Sequence, residues 1–363
     1  MKILLVQDYL RSGGTERQSI LLANEFAHAG HTVGLLTFRP GGPLAPTVSN
    51  AVSRLTLQPV DLHLDWFAPG LVSRARRFAP AVILCMGRMA NCYSGHLQRR
   101  LPSCAIVGTL RTGKPLPWLF RRSLPRVRHV VANSREARDH ALVEQRLAPA
   151  RSSVIYNSLV FPANTPQSLP SSPRGTVRAV HGARDSTTVL LNVAMFRPEK
   201  NQRELIEIAA GLPAELDWQL WLAGDGPARA ACEQLAEARG LTARVKFLGW
   251  QKDPSALYAG GDIAVHASTS ESLSNFLIEA QAHGLPAVAC AAQGIRECFI
   301  PGETGVVLRP GDRHGFRAAV LRFAEADPLR AARARAFARE TFDVTRQVDA
   351  YLDLFLRLAT PIS

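Results

Sequence analysis

The sequence predicts an α/β protein made of two doubly wound, Rossmann-like domains with parallel sheets. Apolar strand segments alternate with helical segments through both halves of the chain, and this alternation is typical of parallel sheets covered by helices on both faces. A length of 363 residues exceeds what one hydrophobic core usually serves, so two domains are expected. Ligands bind such sheets at the carboxyl ends of the strands, and two domains facing each other would form one cleft.

The first half contains six apolar segments of strand length. They lie at 3–6, 32–37, 81–85, 105–110, 127–132 and 153–155, and helical segments are expected at 15–29 and 135–146. The helix at 15–29 begins beside Gly13 and Gly14. At its start, Thr15 and Gln18 have the spacing of a capping box.

The second half repeats this scheme. Strands are expected at 188–194, 218–223, 245–248, 263–267, 287–291 and 305–307, with helices at 202–210, at 228–239, from Asn275, and after the last strand up to residue 326. Between the halves, residues 161–185 are rich in proline and small polar residues and lack periodicity, which is typical of a linker. The predicted domains are therefore 1–165 and 186–341, followed by a terminal helical segment at 342–363.

The excess of positive charge is confined to the first half of the chain. Residues 1–165 contain 21 Lys and Arg against 8 Asp and Glu, while the remainder contains 22 of each. An Arg-rich genomic composition would raise the total but would not restrict the excess to one half. The asymmetry predicts a negatively charged partner that contacts the first domain alone.

Composition and motif spacing exclude several classes of protein. A hydrophobic content of 47% with 20% charged residues is typical of a soluble globular protein, and no apolar run approaches the roughly 18 residues that a membrane span needs. The first residues read as a strand and not as a signal peptide. The six cysteines form no Cys-x-x-Cys pair, so free, buried thiols in a reducing cytoplasm are expected. The ten histidines show no metal-ligand spacing and Asp-x-Asp is absent.

Cations and glycines at two helix starts indicate an anion site. Lys200 lies where a helix is expected to begin, with Arg197 three residues before it. Cations oppose the positive end of a helix dipole, so an anionic ligand is expected to offset them. Gly13 and Gly14 likewise let the backbone approach a ligand closely at a helix start. A tight structural turn is the alternative for the glycines.

The acidic pair Glu271 and Glu279 has the most informative spacing in the chain. Glu271 comes just before a helix, Glu279 lies within it, and the helix closes at Gly284 and Pro286. Eight helical residues place two carboxylates about 12 Å apart along the axis, and a bend at Glu271 would let both reach one extended ligand. The alternative is a Glu that suits the helix dipole, followed by a solvated one.

These acids belong to a longer segment, Ser270-Glu-Ser-Leu-Ser-Asn-Phe-Leu-Ile-Glu-Ala-Gln-Ala-His-Gly-Leu-Pro286, which resembles the donor-site signature of the retaining glycosyltransferases of family 4. The resemblance covers nearly the whole chain and implies the two-domain GT-B architecture, a nucleotide-diphosphate sugar as co-substrate, and a last helix that crosses back to the first domain. Further pieces occur in the family's order: Gly13-Gly-Thr-Glu-Arg17, Val131-Ala-Asn-Ser134, Val154-Ile-Tyr-Asn157, Arg197-Pro-Glu-Lys200, Gly224-Asp-Gly-Pro227, Val245-Lys-Phe-Leu-Gly249 and Gly294-Ile-Arg-Glu297.

The resemblance also implies roles for individual residues. Glu279 would bind the ribose hydroxyls of the nucleotide, and Glu271 would approach the transferred sugar. Lys200 would grip the donor diphosphate. The remaining donor-site residues carried over from the family are Gly14, Ser274, Asn275 and Glu297, of which Glu297 has a plain helix-start role as its alternative.

Two positions depart from the family's pattern. Met195 stands where the family has an Arg that helps the Lys hold the diphosphate, and Arg197 is the candidate replacement. Arg111 stands where many members have a His, and an arginine cannot act as a general base. It could instead hold a phosphate or sugar oxygen with two hydrogen bonds.

Together these inferences predict a cytoplasmic, metal-independent retaining glycosyltransferase of the hexosyltransferase class, with no cofactor. Departure of the diphosphate should dominate the barrier, because no side-chain nucleophile is evident. The basic first domain would bind a saccharide or lipid-linked acceptor in bacterial envelope polysaccharide or lipopolysaccharide biosynthesis. The alternatives are a nucleotide-sugar epimerase on the same architecture and a basic nucleic-acid-binding protein. No aromatic-basic RNA motif is visible, so nucleic acid is not expected as a partner.

One segment of the first domain favours contact with an anionic inner-membrane surface on its cytoplasmic face. Residues 118–128 mix aromatic residues with the arginines 121, 122, 126 and 128, a combination that suits a headgroup region. A buried helix with solvated arginines is the alternative. Pro117 and Pro125 limit any helix here to roughly two turns.

Overall fold

The computed structural model describes residues 1–161 and 173–359, which form two compact units. The first unit contains residues 1–158 and the final helix, and the second contains the described residues from 159 to 343. Each unit is built on a parallel sheet with helices on both faces, so the predicted fold class is confirmed. Residues 162–172 of the predicted linker lie outside the described residues.

The sheet of the first unit has seven strands: β1 Lys2–Gln7, β2 Thr32–Thr37, β3 Ser53–Thr56, β4 Val82–Cys85, β5 Ala105–Leu110, β6 His129–Ala132 and β7 Ser152–Val154. Their order is β3-β2-β1-β4-β5-β6-β7, and every neighbouring pair is parallel. The order reverses between β1 and β4. Such a reversal opens a crevice at the carboxyl ends of the strands, where ligands of doubly wound sheets bind.

Helices cover both faces of this sheet. The first five are α1 Gly14–His28, α2 Leu71–Phe78, α3 Arg88–Arg100, α4 Trp118–Ser123 and α5 Arg135–Glu144. Apolar residues of α2 to α5 pack on one face, and those of α1 pack on the other together with residues of the final helix. The central strands β1, β4 and β5 therefore bury side chains on both faces, which explains their continuous apolar sequences. The edge strand β3 is not buried in this way.

The strands and helices predicted for this half are confirmed to within two residues at each end, but β3, α2, α3 and α4 were missed. α3 buries Asn91 and Ser94 instead of an apolar stripe, and the Asn91 amide donates to the carbonyls of Cys85 and Gly87 at 3.0 and 2.8 Å. Gly95 lets α4 approach, because a Cβ there would lie 3.0 Å from the Cα of Ser123. Polar contacts of this kind leave no apolar periodicity in the sequence.

The sheet of the second unit has six strands: β8 Thr188–Val193, β9 Trp218–Ala223, β10 Val245–Gly249, β11 Ile263–His266, β12 Ala287–Cys290 and β13 Gly305–Leu308. Their order is β10-β9-β8-β11-β12-β13, again parallel throughout. The helices of this unit are α6 Pro173–Val180, α7 Gln202–Ala210, α8 Arg229–Ala238, α9 Ser255–Gly260, α10 Asn275–Ala282, α11 Arg313–Ala324 and α12 Pro328–Phe342. The topological reversal lies between β8 and β11 and places their following loops at one crevice.

The final helix, α13 Val344–Ala359, belongs to the first unit. Its apolar face, with Val348, Tyr351 and Phe355, lies in the same core as α1. Among the described residues, no helix combines the length and apolarity needed to cross a membrane. All six cysteines are free and buried, as predicted.

The predicted capping box at the start of α1 is wrong. Gly13 is the residue before the helix, and no side chain caps it. Gln18 is buried and binds Ser158 through both backbone groups, donating to its carbonyl at 2.8 Å and accepting from its N–H at 3.0 Å. Gln347 of α13 donates to Gln18 Oε1 at 3.1 Å and accepts from the Ser158 hydroxyl at 2.6 Å. Gln18 therefore joins α1 to the segment after β7 and to α13.

Part of the predicted linker is a helix fixed by a buried arginine. Arg178 of α6 is 1% exposed, and its guanidinium pairs with Asp262 at the start of β11. It also donates to the carbonyls of Gly260 at 3.0 Å and Thr187 at 2.9 Å. Because Gly260 and Asp262 lie 82 and 84 residues away in the sequence, α6 was not predicted.

We expect Arg178→Ala to destabilise the second unit by about 3–5 kcal/mol, the range for removing one partner of a buried ion pair. Arg174 is the matched control, because it binds the same carboxylate at 2.6 Å but is half exposed. Arg174→Ala should cost about 1 kcal/mol or less. Urea unfolding followed by the fluorescence of the buried Trp218 and Trp221 measures both. Equal losses would contradict the assignment of Arg178 as the anchor of α6.

Candidate functional site

Glu271 is a nearly buried carboxylate held by one side chain from the loop after β8 and one from the end of β11. Its side chain is 10% exposed, and its Oε1 lies 2.5 Å from Lys200 Nζ and 3.1 Å from His266 Nε2. Within the described part of the chain, no hydrogen bond to Glu271 Oε2 is found. One oxygen is therefore fixed by two donors, and the other is left for a ligand.

The charge of Glu271 is stabilised by these partners. Burial alone would raise the pKa of the carboxyl, but the hydrogen bond from His266 and the charge of Lys200 outweigh burial and lower the pKa to about 2. The carboxylate is therefore ionised at neutral pH. A buried charge that is paired in this way is costly to leave unpaired.

His266, the last residue of β11, was not predicted as a site residue. It is buried, and among the described residues its Nδ1 has no hydrogen-bond partner. A hydrogen on Nδ1 would leave a buried donor unsatisfied, at a cost of about 1–3 kcal/mol. A hydrogen on Nε2 does have a partner, because Glu271 Oε1 lies 3.1 Å away and accepts it. The position of His266 at the carboxyl end of a predicted strand, five residues before Glu271, was the signal available in the sequence.

Lys200 reaches Glu271 because two loops are hydrogen-bonded to each other. The helix start expected at Lys200 is a 3-10 turn, Pro198–Lys200, and α7 begins only after Asn201, whose φ is 53°. The carbonyl of Glu199 in this turn accepts from Thr269 N and from the Ser268 hydroxyl, both at 2.9 Å. These two bonds hold the loop after β8 against the loop after β11.

Arg197 is an unpaired cation at the base of the same turn. Its side chain is half-buried, and no hydrogen bond or ion pair to its guanidinium is found among the described residues. Met195 contributes its carbonyl, which accepts from Arg197 N at 2.9 Å and from Gln202 Nε2 at 3.1 Å. A half-buried guanidinium without an acidic partner is available to an anion.

The turn after β9 supports this loop. Gly224 and Gly226 have φ values of 138° and 147°, and a Cβ would lie 2.0 Å from the carbonyl of Ala194 and 2.4 Å from that of Phe196, respectively. Both positions therefore require glycine. The carbonyl of Asp225 accepts from Phe196 N at 2.9 Å, so this turn packs against the segment that leads to Arg197.

The remaining predicted residues of the second unit lie at α10 and at the 3-10 turn after β12. Ser274 caps the helix by accepting from Leu277 N, and Asn275 is its first residue. Glu279, one turn further on, is half-buried and accepts at Oε2 from the hydroxyl of the buried Tyr258 at 2.5 Å. Glu297 ends the 3-10 turn Ile295–Glu297, which follows the strand paired with β11.

Two predicted residues belong to the first unit. Gly14 is the first residue of α1 and is exposed. Arg111, after β5, donates to Asn157 Oδ1 at 2.5 Å and to the Tyr351 hydroxyl at 2.9 Å. Two of its nitrogens thus serve contacts within the unit, one of them to α13.

Asp8, at the carboxyl end of β1, is a buried acid that was not predicted. It accepts from Met89 N at 2.9 Å and Ala90 N at 2.7 Å at the start of α3. Burial nevertheless raises the pKa of the carboxyl to about 6. A Cβ on Gly87 would lie 2.2 Å from Asp8 Oδ1, so glycine is needed where the carboxylate meets the helix.

No metal cluster accompanies these groups in the part of the chain that the structure describes. Within residues 1–161 and 173–359, no set of three or more His, Cys, Asp or Glu side chains is arranged to hold a metal ion. Glu271, the most buried of the predicted acids in the second unit, is paired with a lysine and a histidine.

Two protein-family models match successive parts of the chain. Residues 12–159 match the model described as Glycosyltransferase Family 4, and residues 173–340 match Glycosyl transferases group 1. Among curated proteins, the chain is 33% identical over 192 residues to the lipopolysaccharide core biosynthesis glycosyltransferase LpsE of Rhizobium meliloti, a match that covers 50% of this chain and 54% of the relative. It is 37% identical over 142 residues to LpsD of the same organism, covering 38% and 41%. The chain thus spans about half the length of the curated relatives that it matches.

Solved structures resemble the chain over almost its full length. The Anabaena protein Alr3699/HepE in complex with UDP-glucose superposes with a TM-score of 0.82 at 23% identity, covering 98% of this chain and 100% of that one. WaaG, a glycosyltransferase involved in lipopolysaccharide biosynthesis, gives a TM-score of 0.74 at 18% identity, covering 98% and 99%. These matches show the fold, two Rossmann-like domains of the GT-B type.

The paired charge of Glu271 should make stability depend on pH. Its folded-state pKa of about 2 lies below the ordinary value of 4.5, so its contribution is fully present above about pH 4.5 and is lost as the pH falls towards 2. We expect the free energy of unfolding of the wild type, relative to Glu271→Gln, to fall by about 1.4 kcal/mol per pH unit below the ordinary pKa. Urea unfolding at pH 7, 5, 4 and 3.5 tests this. A difference that stays constant over the series would show that Glu271 is not held as a paired carboxylate.

Proposed function

Because this chain belongs to glycosyltransferase family 4, we propose that it transfers a sugar from a nucleotide-diphosphate sugar to an acceptor with retention of configuration. In this proposal the second domain binds the donor and the first domain binds the acceptor. The single observation that carries the proposal is the group formed by Lys200, Glu271 and His266 at the carboxyl edge of the second sheet. Structures with this fold include one in complex with UDP-glucose, which supports a nucleotide sugar as donor.

The cations of the site suit a diphosphate leaving group. Lys200 retains 27% side-chain exposure while bound to Glu271, so Nζ can turn towards a ligand, and Arg197 has a half-buried guanidinium without a described partner. In our proposal both stabilise the negative charge that develops as the diphosphate departs. Fixed charges aimed at developing charge are usually the largest catalytic contribution in such a site. The start of α10, at Ser274 and Asn275, adds the positive end of a helix dipole.

Glu271 is suited to orient the transferred sugar. Its Oε1 is held by two donors, which leaves Oε2 to accept from a sugar hydroxyl. When the diphosphate draws Lys200 away, His266 continues to fix the carboxylate. We therefore assign Glu271 to the sugar and Glu279 to the ribose, with His266 as a positioning residue.

The acceptor proposed for the first domain is a saccharide or a lipid-linked saccharide of the bacterial envelope. Similarity to LpsE and LpsD of Rhizobium meliloti, both named for lipopolysaccharide core biosynthesis, supports this class. The basic excess of residues 1–165 supports contact with an anionic membrane surface, on the cytoplasmic side where nucleotide sugars are available.

The arrangement around α4 supports the membrane contact. Trp118 and Leu119 are 59% and 49% exposed, whereas Phe120 is buried and anchors the helix to the sheet. The guanidinium of Arg122 lies 5.1 Å from the Trp118 ring centre, and Arg121 is also exposed. Exposed apolar rings beside arginines suit the headgroup region of an anionic bilayer.

We expect Glu279→Gln to weaken nucleotide binding by about 1.5–3 kcal/mol, the range for a hydrogen bond to a charged group. A thermal-shift screen with UDP, GDP, ADP and their sugars identifies the nucleotide, since a ligand of the folded state raises its apparent stability, and calorimetry gives the affinity. Tyr258→Phe is the control, because it removes the hydrogen bond to Glu279 but keeps the carboxylate, and it should lose less. Unchanged affinity in Glu279→Gln would remove this residue from the donor site.

We expect the protein to float with anionic vesicles at low salt and to be released as salt shortens the Debye length to roughly 3 Å at 1 M. Arg121→Glu with Arg122→Glu should abolish flotation and leave donor hydrolysis intact. Arg309→Glu with Arg335→Glu is the control, since it makes the same charge change at exposed arginines of the second unit. A soluble acceptor becomes the better assignment if the wild type fails to float at low salt.

A further inference from the structure

The loop after β3 presents aromatic rings to solvent. We define the β3 loop as residues 57–70. Within it Trp66 is 56% exposed and Phe67 is 36% exposed. Their rings meet edge to face, with centroids 6.0 Å apart. Two exposed rings in contact form a contiguous apolar patch, and such patches, unlike single exposed apolar residues, mark binding surfaces.

Polar side chains on the protein side of the β3 loop hold the backbone that carries these rings. Gln58 is fully buried and donates from its amide nitrogen to the carbonyls of Leu64 and Phe67, both at 2.7 Å. The hydroxyl of Tyr93, from α3, donates to the carbonyl of Trp66 at 2.6 Å. Both hydrogens of the Gln58 side-chain amide therefore form hydrogen bonds that fix this loop.

Ion pairs fix the middle of the loop. Arg39, after β2, is buried; it donates to both oxygens of Asp61 at 2.7 and 2.9 Å and to Asp65 at 2.8 Å. Its guanidinium lies 4.0 Å from the Tyr9 ring centre. Arg11 donates to the second oxygen of Asp65 at 2.5 Å. Two cations and two anions therefore lock the β3 loop to the residues that follow β1 and β2.

The framework of ion pairs and hydrogen bonds that holds the β3 loop costs more free energy than a surface loop usually requires. Burying the charge of Arg39 carries a desolvation penalty that pairing only offsets. His63 has a φ of 58°, a left-handed conformation that costs a residue other than glycine of order 1 kcal/mol. Neither feature buries the apolar rings of Trp66 and Phe67, so the framework gains little for folding. It does keep those rings in one orientation.

The β3 loop also lies where doubly wound sheets bind ligands. Tyr9 and Arg11 follow β1, Arg39 follows β2, Gln58 follows β3, and Tyr93 lies on the helix after β4. The segments that follow four neighbouring strands, β3, β2, β1 and β4, therefore meet at the carboxyl edge of the sheet. This edge is the ligand-binding edge of the fold.

We propose that the β3 loop is a saccharide-binding surface of the first domain, on which the exposed face of Trp66 supports a sugar ring of the acceptor. The inference rests on the proposed function, because it names the part of the first domain that meets the acceptor. It concerns a neutral sugar ring and is separate from the membrane contact proposed for α4.

Charge favours a sugar over an anion at this place. Arg11 and Arg39 are balanced by Asp61 and Asp65, and the hydrogen bond from Arg39 keeps the pKa of Asp61 well below its usual range. These four charges cancel, and the neighbouring Asp8 adds no positive charge, so the cluster has no excess of cations that would bind an anion. A pyranose offers apolar C–H groups to an aromatic face and hydroxyls to polar groups at its rim, where Arg11 and Asp65 keep 38% and 37% of their side-chain surface exposed.

The experiment is a microarray of bacterial envelope oligosaccharides probed with fluorescently labelled full-length protein. The wild type should bind a subset of glycans, and Trp66→Ala should weaken that binding about tenfold, which corresponds to about 1.4 kcal/mol. Trp66→Phe keeps an aromatic face and should recover part of the loss. Trp250→Ala removes a tryptophan that is 53% exposed in the second unit and should bind as the wild type does. Urea unfolding of each variant confirms that its fold is intact.

Three results would overturn the inference: a wild type that binds no glycan on the array, equal glycan binding by Trp66→Ala, or a Trp66→Ala variant that loses vesicle flotation while it keeps its glycans. The last result would make the β3 loop a membrane contact. The nucleotide thermal shift separates this failure from that of the proposed function. Nucleotide binding without glycan binding refutes only the saccharide surface, and glycan binding without nucleotide binding refutes only the donor assignment.

Discussion

Parallel pairing is the constraint on which the rest of this molecule depends. In both sheets every neighbouring pair of strands is parallel, so the chain must return along the sheet after each strand. Helices make most of these crossovers and bury both faces. All carboxyl ends then lie at one edge, and the loops after them are brought together although they are distant in sequence. Lys200 and Glu271, separated by 71 residues, meet for this reason.

Buried charge determines how these loops are arranged once they meet. Glu271 is stabilised by a lysine and a histidine, and Arg39 by two aspartates. Each group satisfies its charges internally, because an isolated ion in a protein interior would cost several kcal/mol. The two groups differ in what remains available. Among the described residues, the group around Glu271 leaves one carboxylate oxygen and a nearby guanidinium unpaired. The group around Arg39 has no excess of positive charge and holds apolar rings outward.

The first unit therefore separates two kinds of surface. The exposed arginines of α4 stand beside Trp118 and Leu119, a combination of positive charge and apolar area. At the carboxyl edge, the charges around the β3 loop are balanced, and the exposed area is aromatic. The proposed transfer of a sugar to an acceptor at a membrane surface would use both properties, and on this chain they belong to different elements.

The sequence alone determined every strand except β3, amphipathic helices such as α1, α7 and α8, the fold class and the spacing of the acidic pair. Strands that are buried on both faces are continuous apolar runs, and a helix such as α7 has an apolar stripe, so both are visible without a structure. The spacing of Glu271 and Glu279 is likewise a local property. These features depend on residues that are neighbours along the chain.

Only the tertiary structure decided which polar residues act together. α3 was missed because it buries polar residues, Asn91 and Ser94. α6 was missed because Arg178 binds the carbonyl of Gly260, 82 residues away. In the sequence, His266 is only the last part of a predicted strand. In the structure, the loop after β11 places Glu271 Oε1 3.1 Å from its Nε2. Gln18 had the spacing of a cap but bonds to Ser158, 140 residues away. A hydrogen bond stabilises a residue only through its partner, and a single sequence specifies the residue without revealing which distant partner folding will bring to it.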